Sequence, residues 1–187
     1  MDKHTWIQTR DGSPTLWSNE LGESFRSVKG AFTESFKVFV EPALQDLIKN
    51  PRESATLGEF GLGPGTNWLM AQLFLAPKLK KLSYFAIERD PSIFEAGLKQ
   101  WRDNVKFVHD FAQSHGSTLT EEEILKILEP AFKPLIIPSI ELAFPSGLRS
   151  DFWFHDPFGF DVNPEGYSEE TFKMVHVFFK QKGFGMS

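Results

Sequence analysis

Residues Thr56–Met70 read TLGEFGLGPGTNWLM, and the reading of this stretch decides the fold. A short apolar run leads into three glycines at alternate positions, Gly61, Gly63 and Gly65. A second apolar run with helical character follows. Strand, glycine-rich turn and helix in that order make a nucleotide-type loop. Glycine permits the tight turn and close backbone approach, and the helix N-terminus faces the ligand.

The same alternation continues outward. KLSYFAIE reads as a strand ending at Glu88, and PSIFEAGLKQW as a helix opening at Pro91. NVKFVHD reads as a further strand. TLTEEEILKILEPAF is a helix capped by Thr118 or Thr120, with glutamates in its first turn. SDFWFHD is a strand, and SEETFKMVHVFFK a helix capped by Ser168. Upstream, HTWIQT and PTLWS flank RDGS, a hairpin signal. FKVFV (36–40) reads as a short strand, and EPALQDLIKN as a helix with Pro42 in its first turn. Alternating strands and helices predict an α/β, Rossmann-like doubly wound, mostly parallel sheet with an N-terminal β-hairpin extension. Residues 1–50 form that hairpin and helix extension. Residues 51–187 form the ligand-binding domain, integral with it.

The chain has 187 residues, enough for a real core. Its net charge of −5 argues against a broadly basic nucleic-acid sleeve but leaves room for a small patch. Cysteine is absent, which closes disulfides, thiolate nucleophiles and Cys–metal sites. The five histidines have no metal-ligand spacing, so no metal is expected. No apolar run reaches a membrane span and the N-terminus has no signal core, so a cytoplasmic location is expected.

The dinucleotide fingerprint is G-x-G-x-x-G, and Thr66 stands where its third glycine belongs. That weighs against a nicotinamide-dependent oxidoreductase. A P-loop is excluded because Gly-Lys-Ser/Thr is missing. Gly-x-Gly-x-Gly with Glu59 just before it suits an adenosyl ligand without phosphate, S-adenosylmethionine. Glu88, ending the next strand, is placed to accept from its ribose. In DFWFHDPFGFDVNPEGY, an apolar strand ends at Asp156, followed by Pro157, Phe158 and Phe160. Ligands of open α/β sheets sit beyond the carboxyl ends of the strands, so Asp156 shares a crevice with Gly63 and Glu88. An acid, a proline and an aromatic in this place resemble the Asp/Asn-Pro-Pro-Tyr/Phe loop of amine-directed methyltransferases, in which a carboxylate or amide oxygen holds the amine protons and the aromatic ring stacks on the base. His155, next to Asp156, should face the other side of its strand.

Taken together, WSNELGESFRSVKGAFTESFKVFV, GEFGLGPGTNWL, FAIERDP and DFWFHDPFGFDVNPEGYSEETF resemble the methyltransferase domain of the bifunctional tRNA 5-methylaminomethyl-2-thiouridine biosynthesis protein and its stand-alone relatives. The resemblance runs from about Thr15 to the C-terminus. It implies a class I methyltransferase-type fold, S-adenosylmethionine as cofactor, and transfer of a methyl group to the aminomethyl nitrogen of a tRNA wobble uridine. By motif, Glu59, Gly61, Gly63, Gly65 and Asn67 would line the methionine part and Glu88 would bind the ribose. Asp156 would face the amine, with Phe158 beside it. The flavin oxidoreductase domain of the bifunctional members has no counterpart, so no flavin is expected.

Two departures stand out. The family's Gly-Asp pair at the adenine is missing from PLIIPSIELAFPSGLRSDFWF, where Glu141 is a candidate substitute. The chain also stops at KGFGMS, where the family fold would continue into further strands. An alternative function is therefore a truncated, weakly catalytic nucleoside-binding module.

Overall fold

The structure is a computed structural model describing residues 3–143 and 146–178. The KGFGMS stretch and the last two residues of the expected final helix lie outside these.

The hairpin forms as expected. β1 (His4–Gln8) pairs antiparallel with β2 (Pro14–Ser18), and a short β3 (Glu23–Ser24) adds to β2. Asp11 organises the turn. Its carboxylate accepts from the side chains of Thr9, Ser13 and Thr33 and from the backbone N–H groups of Ser13 and Thr33. It thereby ties the hairpin to α1 (Ala31–Glu34).

FKVFV is not a strand. Helix α1 runs into a π-helical segment, Ser35–Val40, and then into α2 (Glu41–Lys49). Among the buried residues, Phe32, Phe36, Val40, Ala43 and Leu47 recur every three or four positions, while Val38 is exposed. A five-residue window hides that period, because any apolar run so short fits a strand.

Four parallel strands follow in the order β6-β5-β4-β7: β4 (Ser54–Phe60), β5 (Lys81–Ile87), β6 (Leu135–Ile137) and β7 (Phe152–His155). The helices between them are α3 (Thr66–Phe74), α4 (Pro91–Asp103), α5 (Val105–Ser114), α6 (Glu121–Ile127) and α7 (Ile140–Ala143), with α8 (Glu169–Phe178) after β7. NVKFVHD belongs to α5 and is not a strand. Val108 and Ala112 are buried, and Val105, Phe107 and Phe111 pack against the same core. The third parallel strand is instead LII of β6. Thr120, not Thr118, caps α6 with a capping box to Glu123. Ser168 accepts from the N–H of Thr171 at the start of α8.

Side chains alternate across the sheet. Leu57, Tyr84, Ala86 and Phe154 pack into one core with α1–α6. Phe85, Ile87 and Trp153 pack into a second with α7 and α8. The chain moves outward from β4 to β6, then returns to place β7 on the other side of β4. This reversal is the switch point at which open α/β sheets form a crevice beyond their carboxyl ends.

Candidate functional site

Backbone hydrogen bonds align the strand ends that build the crevice. Gly61 N–H donates to Ile87 O (3.0 Å), Glu88 N–H to Ile137 O (3.0 Å) and Asp156 N–H to Phe60 O (2.9 Å). The glycine loop, Glu88 and Asp156 thus leave three neighbouring strands side by side. Gly61 (φ +86°) lies so close to the Asp156 backbone that a Cβ would collide with its carbonyl. Gly65, left-handed at φ +79°, is the N-cap of α3.

The sequence-predicted residues are brought together, and their partners define two halves of the site. In one, Glu88 turns onto the loop. Its carboxylate accepts from Gly63 N–H (2.8 Å) and Asp90 N–H (2.9 Å). Burial raises the Glu88 pKa, and these two donors oppose the rise. A carboxylate has about four lone-pair positions, so acceptor capacity remains for a further donor.

In the other half, Glu59 is fully buried. It accepts from Tyr84 Oη (2.7 Å) and Asn67 Nδ2 (2.8 Å). Asn67 Nδ2 also reaches Asp156 Oδ2 (3.1 Å). Burial pushes Glu59 up to about 7, against the pull of Arg26, Tyr84 and Asn67. The same burial, with Glu59 beside it, raises Tyr84 well above its ordinary value.

Arg26 was not foreseen. It is only 4% exposed. Its guanidinium pairs with Asp156 Oδ2 and lies 3.9 Å from Glu59 Oε1. Its planar head also sits over the Phe39 ring (5.3 Å). Burial lowers the Arg26 pKa, and Glu59 and Glu34 counter this. Phe25 was missed as well. A Cβ on Gly63 (φ +51°) would meet the Phe25 ring at 2.8 Å, and Phe25 packs edge-on against Phe158 at 4.6 Å. The glycine at 63 is therefore required by the chain's own aromatic ring and left-handed backbone, before any ligand is considered. No sequence signal marks Arg26 as buried, since arginine is ordinarily exposed. It lies, however, within the WSNELGESFRSVKGAFTESFKVFV stretch that carries the resemblance.

The rest of the loop after β7 is more open. Phe160 is 63% exposed, near Tyr167. His155 faces away from Asp156, stacked on Phe60 and bonded through Nε2 to Gly166 O (2.8 Å). Glu141 is exposed on α7, its carboxylate held by Ser139. Two acceptors near the crevice, Asn67 Oδ1 and Glu23 Oε2, are buried with no hydrogen-bond partner among the described residues. Those residues also contain no group of three or more His, Asp or Glu that could hold a metal ion. No described helix is long and apolar enough to cross a membrane. An open groove of about 390 Å³ lies elsewhere, between α2 and β7.

The class these elements define is the Rossmann-like, doubly wound α/β fold with an antiparallel N-terminal sheet. Among solved structures, the chain is similar to the crystal structure of MNMC2 from Aquifex aeolicus. The TM-score is 0.66 at 22% identity, over 98% of this chain and 58% of that one. At that identity the likeness shows the fold, and this chain corresponds to a little over half of that protein's length. No protein-family model matches the chain, and no curated protein sequence matches it.

Proposed function

We propose that the chain is an S-adenosylmethionine-dependent methyltransferase acting on an exocyclic amine, with the aminomethyl group of a tRNA wobble uridine as acceptor. The observation that carries this is the convergence of the Gly61–Gly65 loop, Glu88 and Asp156 at one switch point. The family resemblance and the shared fold with MNMC2 support it. A tRNA substrate is also the reason for a cytoplasmic assignment.

The residues fit such a cofactor in part. Glu88 retains acceptor capacity beside the loop, and Asn67 Oδ1 is a buried acceptor awaiting a donor. Phe25 covers Gly63 and would have to shift. When bound, S-adenosylmethionine supplies a methyl group activated by a sulfonium. The chain's own work is to bind and align. Glu88 would accept from the ribose, and Asn67 from the methionine part. Asp156 would accept from the acceptor amine's N–H groups and orient its lone pair. Phe158 would stand beside Asp156, and the exposed Phe160 would stack on the base. An amine needs no covalent activation. Ring-carbon methylation by a cysteine thiolate is closed to a chain without cysteine.

The test is incubation with labelled S-adenosylmethionine and tRNA lacking this modification, followed by digestion to nucleosides. Label is expected on the exocyclic amine. Label on a ring carbon or ribose oxygen would sink the reading. A second reading, a nucleoside-binding module without turnover, is favoured by one observation: Phe25 and Arg26 fill the crevice. Cofactor binding by calorimetry without any label transfer would establish it.

A further inference from the structure

The Phe25–Arg26 step follows β3 and enters the crevice from outside the parallel sheet. Its two side chains take up both halves of the site. Phe25 lies on Gly63, and the Arg26 guanidinium lies between Asp156 and Glu59. Two carboxylates facing one position make that position a cation seat. Its other wall is the Phe39 ring, whose face also attracts positive charge.

We infer that Arg26 is an internal stand-in for a ligand cation, holding the seat between Asp156 and Glu59 until a primary or secondary amine displaces it. Three observations support displacement over permanent structure. Asp156 retains 19% side-chain exposure, so an incoming amine can reach the pair from outside. Asn67 Oδ1 is buried in the same cluster with no donor, and with two lone pairs it can take an N–H of an incoming amine beside one from the methionine part. The segment is bounded by Gly22, left-handed at φ +66°, and by Gly30 at the start of α1. Between them, β3 pairs with β2 at Glu23 and Ser24, and beyond Ser24 the backbone is tied through single hydrogen bonds. Phe25 N–H donates to Leu16 O, Arg10 N–H to Val28 O, and Ser27 N–H to the Glu34 carboxylate.

The consequence is selectivity by charge. A neutral acceptor entering the seat would leave Asp156 without a cation after expelling Arg26, whereas an ammonium replaces it like for like and would then pass one N–H proton to a seat carboxylate, freeing the lone pair that takes the methyl group. Uncharged hydroxyl or amide acceptors are thereby disfavoured. The identity of the cation as the acceptor amine rests on the proposed methyltransferase reading; the seat itself does not.

The experiment is chemical rescue. Arg26→Ala should melt below the parent protein. Methylammonium should raise its melting temperature saturably, by roughly 5 °C for a chain of this size. Tetramethylammonium at equal ionic strength, which has no N–H, should not. The double variant Arg26→Ala/Asp156→Asn should be insensitive to both. Equal responses to the two ions, or a response retained in the double variant, would overturn the inference. Should Arg26→Ala not fold, Arg26→Lys keeps a cation but loses the two-pronged head. Calorimetry should then show 5-aminomethyluridine binding about tenfold tighter than to the parent protein, because a weaker internal competitor is easier to displace. Equal or weaker binding would overturn the inference. Rescue by methylammonium without methyl transfer to tRNA would leave the seat standing and the methyltransferase reading fallen. Methyl transfer without rescue would do the reverse.

Discussion

Asp11 in the hairpin turn, half-buried, and Glu59 at the end of β4, fully buried, are both carboxylates held by several partners, and the fold treats them in opposite ways. Burial acts to raise Asp11, but hydrogen bonds from Ser13 and Thr33 outweigh it and bring the pKa down to about 2. Five hydrogen bonds from hydroxyl and backbone donors surround it. Glu59 has two donors, lies 3.9 Å from a guanidinium shared with Asp156, and is pushed up to about 7. The first cluster is closed: Thr9 and Ser13 hold the carboxylate within the hairpin turn, and Thr33 joins it to α1. The second keeps an orphaned amide oxygen, a partly exposed carboxylate and a cation that can be replaced. A saturated carboxylate serves as architecture. An incompletely satisfied, charge-paired one at a sheet's switch point is where binding chemistry is expected.

The sharpest way to break this comparison is to remove the cation. Arg26→Met should lower unfolding free energy at pH 8 by about 3–5 kcal/mol, as for other buried pairs that lose one partner. The loss should shrink at pH 6, where Glu59 can take a proton in place of its lost partner. A urea titration at the two pH values checks this, and a pH-independent loss would show that Arg26 acts through packing alone.

A smaller effect comes from Glu59 itself. Its folded pKa lies above the ordinary carboxylate value, so the folded state holds the proton more tightly. That contribution to stability is full below about pH 4.5 and disappears as pH rises through about 7. Across that window, Glu59 should withdraw about 2–3 kcal/mol, and Glu59→Gln should flatten the profile. Thermal melts of both proteins from pH 4.5 to 8 provide the measurement.

Asp11 should give the smallest effect, with the opposite sign. Its depressed pKa contributes stability above about 3.8 that is lost as pH falls toward about 2. Allowing for its partial exposure, Asp11→Asn should cost about 1–2 kcal/mol at pH 7 and remove this acid-limb loss. Unfolding midpoints at pH 7 and pH 2.5 would show it. Equal pH slopes in the parent protein and the variant would remove the distinction between the two clusters.

Wherever local chemistry suffices, the sequence by itself determined the outcome. The Asp-Gly turn set the hairpin, the glycine loop set the β4–α3 turn, and Thr120 with Glu123 set a helix start. The placement of Glu59, Glu88 and Asp156 at strand ends followed from strand–helix alternation, because a parallel sheet puts all carboxyl ends on one side. Two short apolar runs were ambiguous. FKVFV and NVKFVHD fit a strand as well as a helix until neighbouring turns bury every third or fourth residue, and both belong to helices. The tertiary structure alone decided what occupies the crevice. Phe25 and Arg26 are 30 or more positions from the residues they meet at Gly63, Glu59 and Asp156. Arginine is buried there because two carboxylates from different strands converge on it, a juxtaposition that no local window of sequence contains.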